Sequence, residues 1–346
     1  MKWLFGFLAT LFTGVVLVGA FAIWAKDEAQ RPLNIPDAGW VYELKPGSSL
    51  RQVSRELEAQ GVLPSRWYLE LWARWQGDRV NVRAGEYLLT TGLSTATLLT
   101  LLQSGEVIQH KLIIVEGSTV RDVLTELRRL GEAGLIRPTI DAATFADDFR
   151  AWTGEGHPEG WIYPDTYLFG RGISDKELVL AAYKRMREML REAWTARDED
   201  LPLKSDYEAL VLASIIEKET GVAHERPLIG GVFINRLRKG MLLQTDPTVI
   251  YGMGERYEGN IRKSDLREET PYNTYVIKGL PPTPIALPGK AAIVAAVNPE
   301  ATDALYFVAK GGGAHHFSRT YKEHRDAVVK YLLGGRAERY TGGSNP

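Results

Sequence analysis

An uncharged run of 23 residues near the amino terminus constrains this chain more than any other feature. It extends from Trp3 to Ala25, which exceeds the roughly 20 apolar residues that a helix needs to cross a bilayer. Trp3 and Trp24 lie at its two ends, where interfacial anchor residues belong. The run therefore predicts a single transmembrane helix over residues 1–25.

A cleaved signal peptide is the alternative, because Ala20-Phe21-Ala22 resembles an A-x-A cleavage site. The apolar core of a signal peptide is only about 7–15 residues long, however, so the length favours an anchor. Lys2 gives a weak signal for a cytoplasmic amino terminus, although Lys26 reduces the charge asymmetry. We therefore expect the rest of the chain to lie outside the cytoplasm.

Composition and motif content exclude several functions. The net charge of -1 gives no support for a nucleic-acid partner. The absence of cysteine excludes disulfides, thiolate zinc sites and a cysteine nucleophile. The G-x-S-x-G, H-E-x-x-H and P-loop motifs are absent. His315 and His316 lack a carboxylate at ligand spacing and fit a strand better than a metal site. We expect no metal and no cofactor.

The remaining chain mixes strand-like and helix-like patterns, which predicts the α+β class. Residues 26–38 are polar, contain two prolines and are predicted to be a linker. Residues 39–109 predict a small α/β module, of which 83–105 resembles a LysM-like glycan-binding module. Residues 110–340 predict a larger mixed α+β domain that carries any catalytic site, and 341–346 form a polar tail.

The most apolar helix of the larger domain is predicted over Tyr207–Gly221. Between Ala209 and Ile216 only Ser214 is polar, which indicates a helix that is buried on all sides. Gly221 is placed to cap the C-terminal end.

Two glutamates lie at that end, where the negative pole of the helix dipole disfavours carboxylates. Glu217 and Glu219 are two residues apart and therefore point to different faces. Glu219 sits above Ile215-Ile216, so its surroundings should be the drier ones. Desolvation and the dipole both raise the pKa of a carboxyl, as a general acid near neutral pH requires. Alternatively, both glutamates are solvated and pair with Lys218 or Arg226.

An aromatic segment and two stiff loops contain further candidates. The segment 159–169 includes Trp161 and Asp165, and it is either a buried aromatic strand and turn or a wall for sugar stacking. The loops are rich in proline, which fixes their shape. Their polar candidates are Gln244, Thr245, Asp246, Asn273 and Tyr275. Most glycosidases use two carboxylates, and the sequence leaves the second one open. The candidates for it are Glu217, Glu225, Asp246, Glu159 and Asp165.

Four blocks of the larger domain form a specific pattern. They are Leu212-Ala-Ser-Ile-Ile-Glu-Lys-Glu-Thr220, Val232-Phe-Ile-Asn-Arg-Leu237, Leu243-Gln-Thr-Asp-Pro-Thr-Val-Ile-Tyr-Gly252, and Tyr272-Asn-Thr-Tyr275 with Gly279-Leu-Pro-Pro282. In this order, behind a single membrane segment, they strongly resemble the MltG, or YceG-like, endolytic murein transglycosylases. The resemblance covers nearly the whole chain and is looser in the N-terminal module.

The resemblance implies cleavage of the MurNAc–GlcNAc β-1,4 bond of peptidoglycan without water, which leaves a 1,6-anhydro-MurNAc end. It implies that Glu219, the second glutamate of Glu-Lys-Glu-Thr, is the general acid and then the base. It also implies peptidoglycan glycan strands as substrate, a single-pass location in the inner (plasma) membrane with a periplasmic domain, and cell-wall synthases as candidate partners. We hypothesise that further side chains bind the sugar or orient Glu219. They are Glu217, Gln244, Thr245, Asp246, Asn273, Tyr275, Trp161 and Asp165.

Two other functions stay open. A hydrolytic muramidase would use water and a second carboxylate, and it would leave reducing ends. A membrane-anchored glycan-binding scaffold would cleave nothing.

Overall fold

The computed structural model describes residues 2–77 and 81–340. These residues form two compact units, which we describe separately. The first contains residues 2–77, 81–110 and 168–173, and the second contains 111–167 and 174–340. Both units combine helices with short strands, which confirms the predicted α+β class. The predicted tail, 341–346, lies outside the described residues.

The first unit contains a long N-terminal helix, three short helices and a two-stranded antiparallel sheet. The helices are α1 (Lys2–Gln30), α2 (Leu50–Ala59), α3 (Arg66–Gln76) and α4 (Thr95–Ser104), and the strands are β1 (Trp40–Leu44) and β2 (Gly85–Leu89). In the sheet Trp40 faces Leu89 and Leu44 faces Gly85. Ser49 and Ser94 cap α2 and α4 through their side chains, because a serine hydroxyl can accept a hydrogen bond from a free amide of the first turn.

The helix α1 contains the predicted apolar run. Within the described residues, Gly6–Gln30 is the one helix that is long and apolar enough to cross a membrane. Its large side chains face outward, and Leu11, Phe12 and Val18 are more than half exposed. By length and composition this helix suits either a membrane anchor or a signal sequence.

The segment predicted as a linker, residues 26–38, packs against the first unit. The helix α1 continues through Gln30 and buries Ala29. Leu33 and Ile35 belong to the core, and the Leu33 amide donates to the Leu93 carbonyl over 2.8 Å. A small unit has little apolar surface to bury, so these side chains are drawn into its core.

The second unit is dominated by helices. They are α5 (Val120–Glu132), α6 (Phe145–Thr153), α7 (Asp175–Thr195), α8 (Asp206–Glu219), α9 (Arg226–Arg238), α10 (Asp246–Met253), α11 (Lys290–Val297) and α12 (Tyr321–Tyr331). This unit also contains β5 (Tyr306–Gly311) and β6 (Ala314–Ser318). The strands β3 (His110–Ile113) and β4 (Thr166–Phe169) each include the residues at which the chain is divided into the two units. β3 pairs with β4, and β5 pairs with β6 in an antiparallel hairpin.

The helix α8 forms the centre of the second unit. Every residue from Ala209 to Ile216 is buried, as its all-round apolar sequence predicted. It packs against α7, α9, α10 and α11. Within that run the polar residue is Ser214, which accepts a hydrogen bond from the Ile285 amide over 3.0 Å and donates to the Val211 carbonyl. This contact ties the proline-rich segment 279–288 to the helix.

Two local predictions differ from the structure. The C-cap residue of α8 is Thr220, in extended conformation, and Gly221 does not adopt the left-handed cap. Asp246 begins the helix α10, where a loop was predicted, because Pro247 is compatible with the first turn of a helix.

Candidate active site

The C-terminal end of α8 opens into a pocket of about 410 Å³ in the second unit. Glu219, the last residue of that helix, lines the pocket. The other lining residues come from α9, the loop before α10, the segment after Tyr272, β5 and α12. They are Arg236, Leu243, Gln244, Asp246, Tyr275, Tyr306, Phe307, Tyr321 and His324.

The loop before α10 is held in an unusual conformation. Gln244 has a φ of 52°, the left-handed region that non-glycine residues rarely adopt, and no other described non-glycine residue has a positive φ. Its amide donates to the Thr274 carbonyl over 3.1 Å, and the Thr245 amide donates to the Thr274 hydroxyl over 3.1 Å. Such conformations persist when neighbouring contacts fix them, and they cluster at functional sites.

This loop brings a hydroxyl and a carboxylate to Glu219. The Thr245 hydroxyl donates a short hydrogen bond to Oε1 of Glu219. Asp246 accepts a 2.6 Å hydrogen bond from the Tyr275 hydroxyl and adds negative charge near Glu219. The pKa of the Glu219 carboxyl is raised to about 7, and burial is the largest cause. The charge of Asp246 also raises this pKa, whereas the Thr245 hydrogen bond and the Arg236 charge oppose the rise.

Glu217 has different surroundings, although its side chain is only 5% exposed. Its Oε1 accepts a 3.0 Å hydrogen bond from Nη2 of Arg226, and its Oε2 accepts one of 2.9 Å from the Gly289 amide. Both oxygens therefore hold neighbouring segments together. Glu217 does not line the pocket.

Three other residues predicted from the sequence also lie away from the pocket lining. The ring of Trp161 is 1% exposed and stacks on Tyr207 at 6.0 Å, whereas a sugar-stacking ring must present a face to solvent. Asp165 forms an ion pair of 2.6 Å with Arg185. Asn273 is buried and fixes its own loop, because its side chain bonds to the Glu268 carbonyl and to the Tyr275 amide.

The sequence reasoning missed Arg236 of α9. This guanidinium is 7% exposed and donates to the carbonyls of Leu305, Leu242 and Leu243, and to Oε1 of Gln244 over 3.1 Å. It therefore joins α9 to the strained loop and to β5. A charged residue inside the largely apolar run 228–237 was the available signal.

His324 of α12 was also missed, and nothing in the sequence distinguishes it. It stacks on Tyr306 with ring centroids 5.2 Å apart, and its buried Nδ1 has no hydrogen-bond partner among the described residues. Burial and the charge of Arg236 lower the pKa of its imidazole, which favours the neutral form.

A second carboxyl of this unit has a raised pKa. Burial raises the pKa of Glu159 to about 7. Its Oε1 accepts from the Val120 amide over 3.0 Å, and its Oε2 accepts from the Tyr251 hydroxyl over 3.1 Å. Glu159 does not line the pocket around Glu219 and joins the start of α5 to α10.

Throughout residues 2–77 and 81–340, we find no group of three or more His, Asp or Glu side chains arranged to hold a metal ion. His315 lies on β6 and bonds to Glu225, which is buried, over 2.7 Å. What the pocket offers for chemistry is the Glu219 carboxyl, whose pKa lies near neutrality, with the Thr245 hydroxyl and the Asp246 carboxylate nearby.

Comparisons with known proteins identify relatives. The family model described as the YceG-like family matches residues 42–330. An endolytic murein transglycosylase of Bacillus subtilis (strain 168) is 30% identical over 83% of this chain and 83% of its own length. One from Streptococcus pneumoniae is 26% identical over 94% of this chain, which spans 64% of that relative's length.

A solved structure is also similar. The 2.6 Å crystal structure of a YceG-like protein from Listeria monocytogenes has 31% sequence identity to this chain and a TM-score of 0.52. The match covers 84% of this chain and 100% of the other.

Proposed function

The chain belongs to the YceG-like family, and from that premise we propose that it is an endolytic murein transglycosylase with Glu219 as its general acid and base. The substrate is the glycan strand of peptidoglycan. The bond that is cleaved is the β-1,4 link between MurNAc and GlcNAc, and the product is a 1,6-anhydro-MurNAc end. Curated relatives that carry the name of this activity support the general reaction.

One observation supports Glu219 in particular: its carboxyl lines the pocket and has a pKa of about 7. A carboxylic acid that is protonated near neutral pH can donate a proton to a leaving oxygen. The Thr245 hydroxyl occupies Oε1. Oε2 makes no hydrogen bond to another described residue, so we assign the proton that is transferred to Oε2.

The reaction then needs one carboxyl and no water. Oε2 of Glu219 gives its proton to the glycosidic oxygen as the bond from that oxygen to C1 of MurNAc breaks. The C6 hydroxyl of the same MurNAc attacks C1, and its proton returns to Glu219. Since the nucleophile is part of the substrate, its effective concentration is very high.

The pocket residues around Glu219 stabilise this chemistry. Asp246 is held by Tyr275, and its negative charge favours the protonated form of Glu219 before reaction. Arg236 lowers the pKa of Glu219 and so limits that effect. Gln244 and Tyr275 face the pocket and are placed to bind sugar hydroxyls.

The test is mass spectrometry of the products formed from uncrosslinked glycan strands in H₂¹⁸O. The wild type should give anhydro-MurNAc ends without ¹⁸O, and Glu219→Gln should give none. Glu192→Gln, an exposed glutamate on α7, is the matched control and should behave as the wild type.

A hydrolytic muramidase is the second candidate, because a second carboxylate, Asp246, lines the same pocket. Hydrolysis would leave reducing ends that carry ¹⁸O, and Asp246→Asn would then abolish cleavage as completely as Glu219→Gln. Glycan binding without cleavage by the wild type would instead favour the scaffold.

The placement of the protein is also proposed. The helix α1 anchors the chain in the inner membrane, and the second unit lies on the periplasmic side. Residues 39–109 are proposed as the LysM-like glycan-binding module, which loss of glycan binding on deletion of residues 39–105 would support. Cell-wall synthases remain candidate partners, and crosslinking in membranes would detect them.

A further inference from the structure

The helix α3 of the first unit exposes an apolar stripe. Trp67, Leu71 and Trp75 are 52%, 42% and 56% exposed. They are spaced four residues apart and therefore lie on one face of the helix. Leu69 and Ala73, on the opposite face, are buried in the core of the unit, so core packing fixes the stripe toward the outside.

This stripe lies beside the end of the apolar run of α1. The two helices pack together, and the rings of Trp24 and Tyr68 are 6.3 Å apart. Trp24 is the penultimate residue of the uncharged run, and tryptophans concentrate at the interface between membrane and water. Tyr68 belongs to the first turn of α3, so α3 begins at the level where α1 would leave a bilayer.

The charges of α3 suit a lipid surface. The Arg66 guanidinium lies 4.8 Å from the Trp67 ring, and Arg74 is exposed beside Trp75. Glu70 is the one acidic residue of the helix, and it is turned inward, where it accepts a 3.1 Å hydrogen bond from the Ser54 hydroxyl. Aromatic and aliphatic side chains next to arginines are typical of helices that lie in the membrane interface.

We propose that α3 lies on the outer surface of the membrane, with Trp67, Leu71 and Trp75 at the boundary between headgroups and acyl chains. This contact fixes the first unit against the bilayer, in addition to the anchor. The partner is lipid, since the stripe has an aliphatic residue at its centre and continues the apolar surface of α1. Anionic headgroups would be attracted by Arg66 and Arg74. The proposal rests on the proposed anchoring by α1.

The absence of cysteine allows a direct test with the full chain. Three single-cysteine variants, Leu71→Cys, Arg55→Cys and Val16→Cys, are labelled with a small fluorophore and reconstituted into vesicles of phosphatidylethanolamine and phosphatidylglycerol. Arg55 is exposed on α2 and is the matched control, while Val16 reports on α1. Quenching by doxyl-labelled lipid is compared with quenching by aqueous iodide.

At position 71, we expect lipid quenching several times stronger than at position 55, and protection from iodide. If position 16 is quenched by lipid while position 71 is as open to iodide as position 55, the α3 contact is refuted and the anchor stands. If neither 16 nor 71 is quenched by lipid, both proposals fail. Quenching at 71 alone would refute the anchor and, with it, the arrangement of α3 beside α1 that is proposed here. Protection at 71 that requires added glycan strands would identify a glycan surface and refute the lipid contact.

Discussion

At the scale of single residues, charge partners distinguish two glutamates on the same helical turn. Glu217 shares its oxygens with Arg226 and the Gly289 amide, so it fixes structure. Glu219 accepts a hydrogen bond from the Thr245 hydroxyl and is near the negative charge of Asp246. Burial and this charge raise its pKa, which is about 7. A nearby cation stabilises a carboxylate, whereas desolvation and a nearby anion favour the protonated acid. The second arrangement suits a proton donor.

The pKa of Glu219 predicts how activity depends on pH. The acid must be protonated before reaction, so kcat/KM should fall as pH rises through about 7. Thr245→Val removes a hydrogen bond that lowers this pKa and should move the alkaline limb to higher pH. Asp246→Asn removes a charge that raises this pKa and should move the limb to lower pH. Initial rates from pH 5 to 9 measure all three limbs.

Thr245→Ser is the matched control for the first of these variants, because it keeps the hydroxyl that donates to Glu219. Its limb should coincide with that of the wild type. Shifts in the same direction for Thr245→Val and Asp246→Asn would contradict the assignment of Glu219 as the titrating acid.

The same pKa predicts a dependence of stability on pH. The pKa of Glu219 in the folded protein lies above the ordinary glutamate value of 4.5, so the stability contributed by this group is fully present below about 4.5 and is lost as pH rises through about 7. Glu219→Gln removes this loss. The free energy of unfolding of the variant should exceed that of the wild type by about 1–2 kcal/mol at pH 8, and by a smaller amount at pH 5.

Thermal unfolding in mild detergent at the two pH values measures this difference. Glu159 also has a raised pKa, about 7, and it contributes with the same sign in both proteins, so it cancels in the comparison. An equal difference between variant and wild type at pH 5 and pH 8 would show that Glu219 is not responsible.

At the scale of elements, close approach of α9 to its neighbours positions the pocket. A Cβ at Gly230 would lie 2.5 Å from the Ala295 carbonyl oxygen of α11, and one at Gly231 would lie 2.4 Å from the Glu300 carbonyl oxygen. These distances are shorter than real Cβ contacts allow. The two glycines therefore let α9 approach backbone on both sides, which places Arg236 against the loop of Gln244.

We predict that Gly230→Ala destabilises the protein by about 1–3 kcal/mol, because the added methyl group meets backbone that cannot rotate away. Gly131→Ala is the matched control within a helix, since its Cβ would meet the Pro138 side chain at an ordinary 3.6 Å. That change should be neutral or stabilising, as alanine favours helix. The thermal unfolding midpoint should fall for Gly230→Ala and stay the same or rise for Gly131→Ala. An equal fall in both midpoints would refute the packing argument.

At the scale of the whole molecule, α1 contains both the exposed apolar segment and the first residues that are buried in the first unit. Its exposed part ends near Trp24, whereas Ala29 is already buried in the first unit. Leu33 and Ile35 follow into the same core. The boundary between the exposed apolar segment and the core of the first unit therefore lies near residue 25.

We predict that deletion of residues 2–25 gives a water-soluble protein that cleaves glycan strands. Its thermal unfolding midpoint should equal that of the full chain. Deletion of residues 2–37 should destabilise the first unit by several kcal/mol, because each buried aliphatic side chain contributes about 1.5–3 kcal/mol. Limited proteolysis should cut within residues 39–110 only in the longer deletion. Equal resistance of both proteins would show that residues 26–37 are a free linker.

Much of this architecture could be predicted from local sequence. The apolar run, the capped helices of the first unit, the β5–β6 hairpin and the all-round burial of α8 follow from periodicity and turn residues. Ser49, Ser94 and Ser205 all cap helices through their side chains. The position of Glu219 at the end of a buried helix was visible in the same way.

The site needed the tertiary structure, because its groups are distant in the chain. From the sequence, Glu217 and Glu219 differ only in the helix face on which they lie. In the structure both side chains are largely enclosed, and what distinguishes them is the ion pair of Glu217 with Arg226, and the Thr245 hydroxyl and the charge of Asp246 at Glu219. Periodicity reports which face of an element is buried, and it carries no information on which neighbour covers that face. The sequence by itself thus determined the elements and the residue at the end of α8; only the folded chain decided which partners set its pKa.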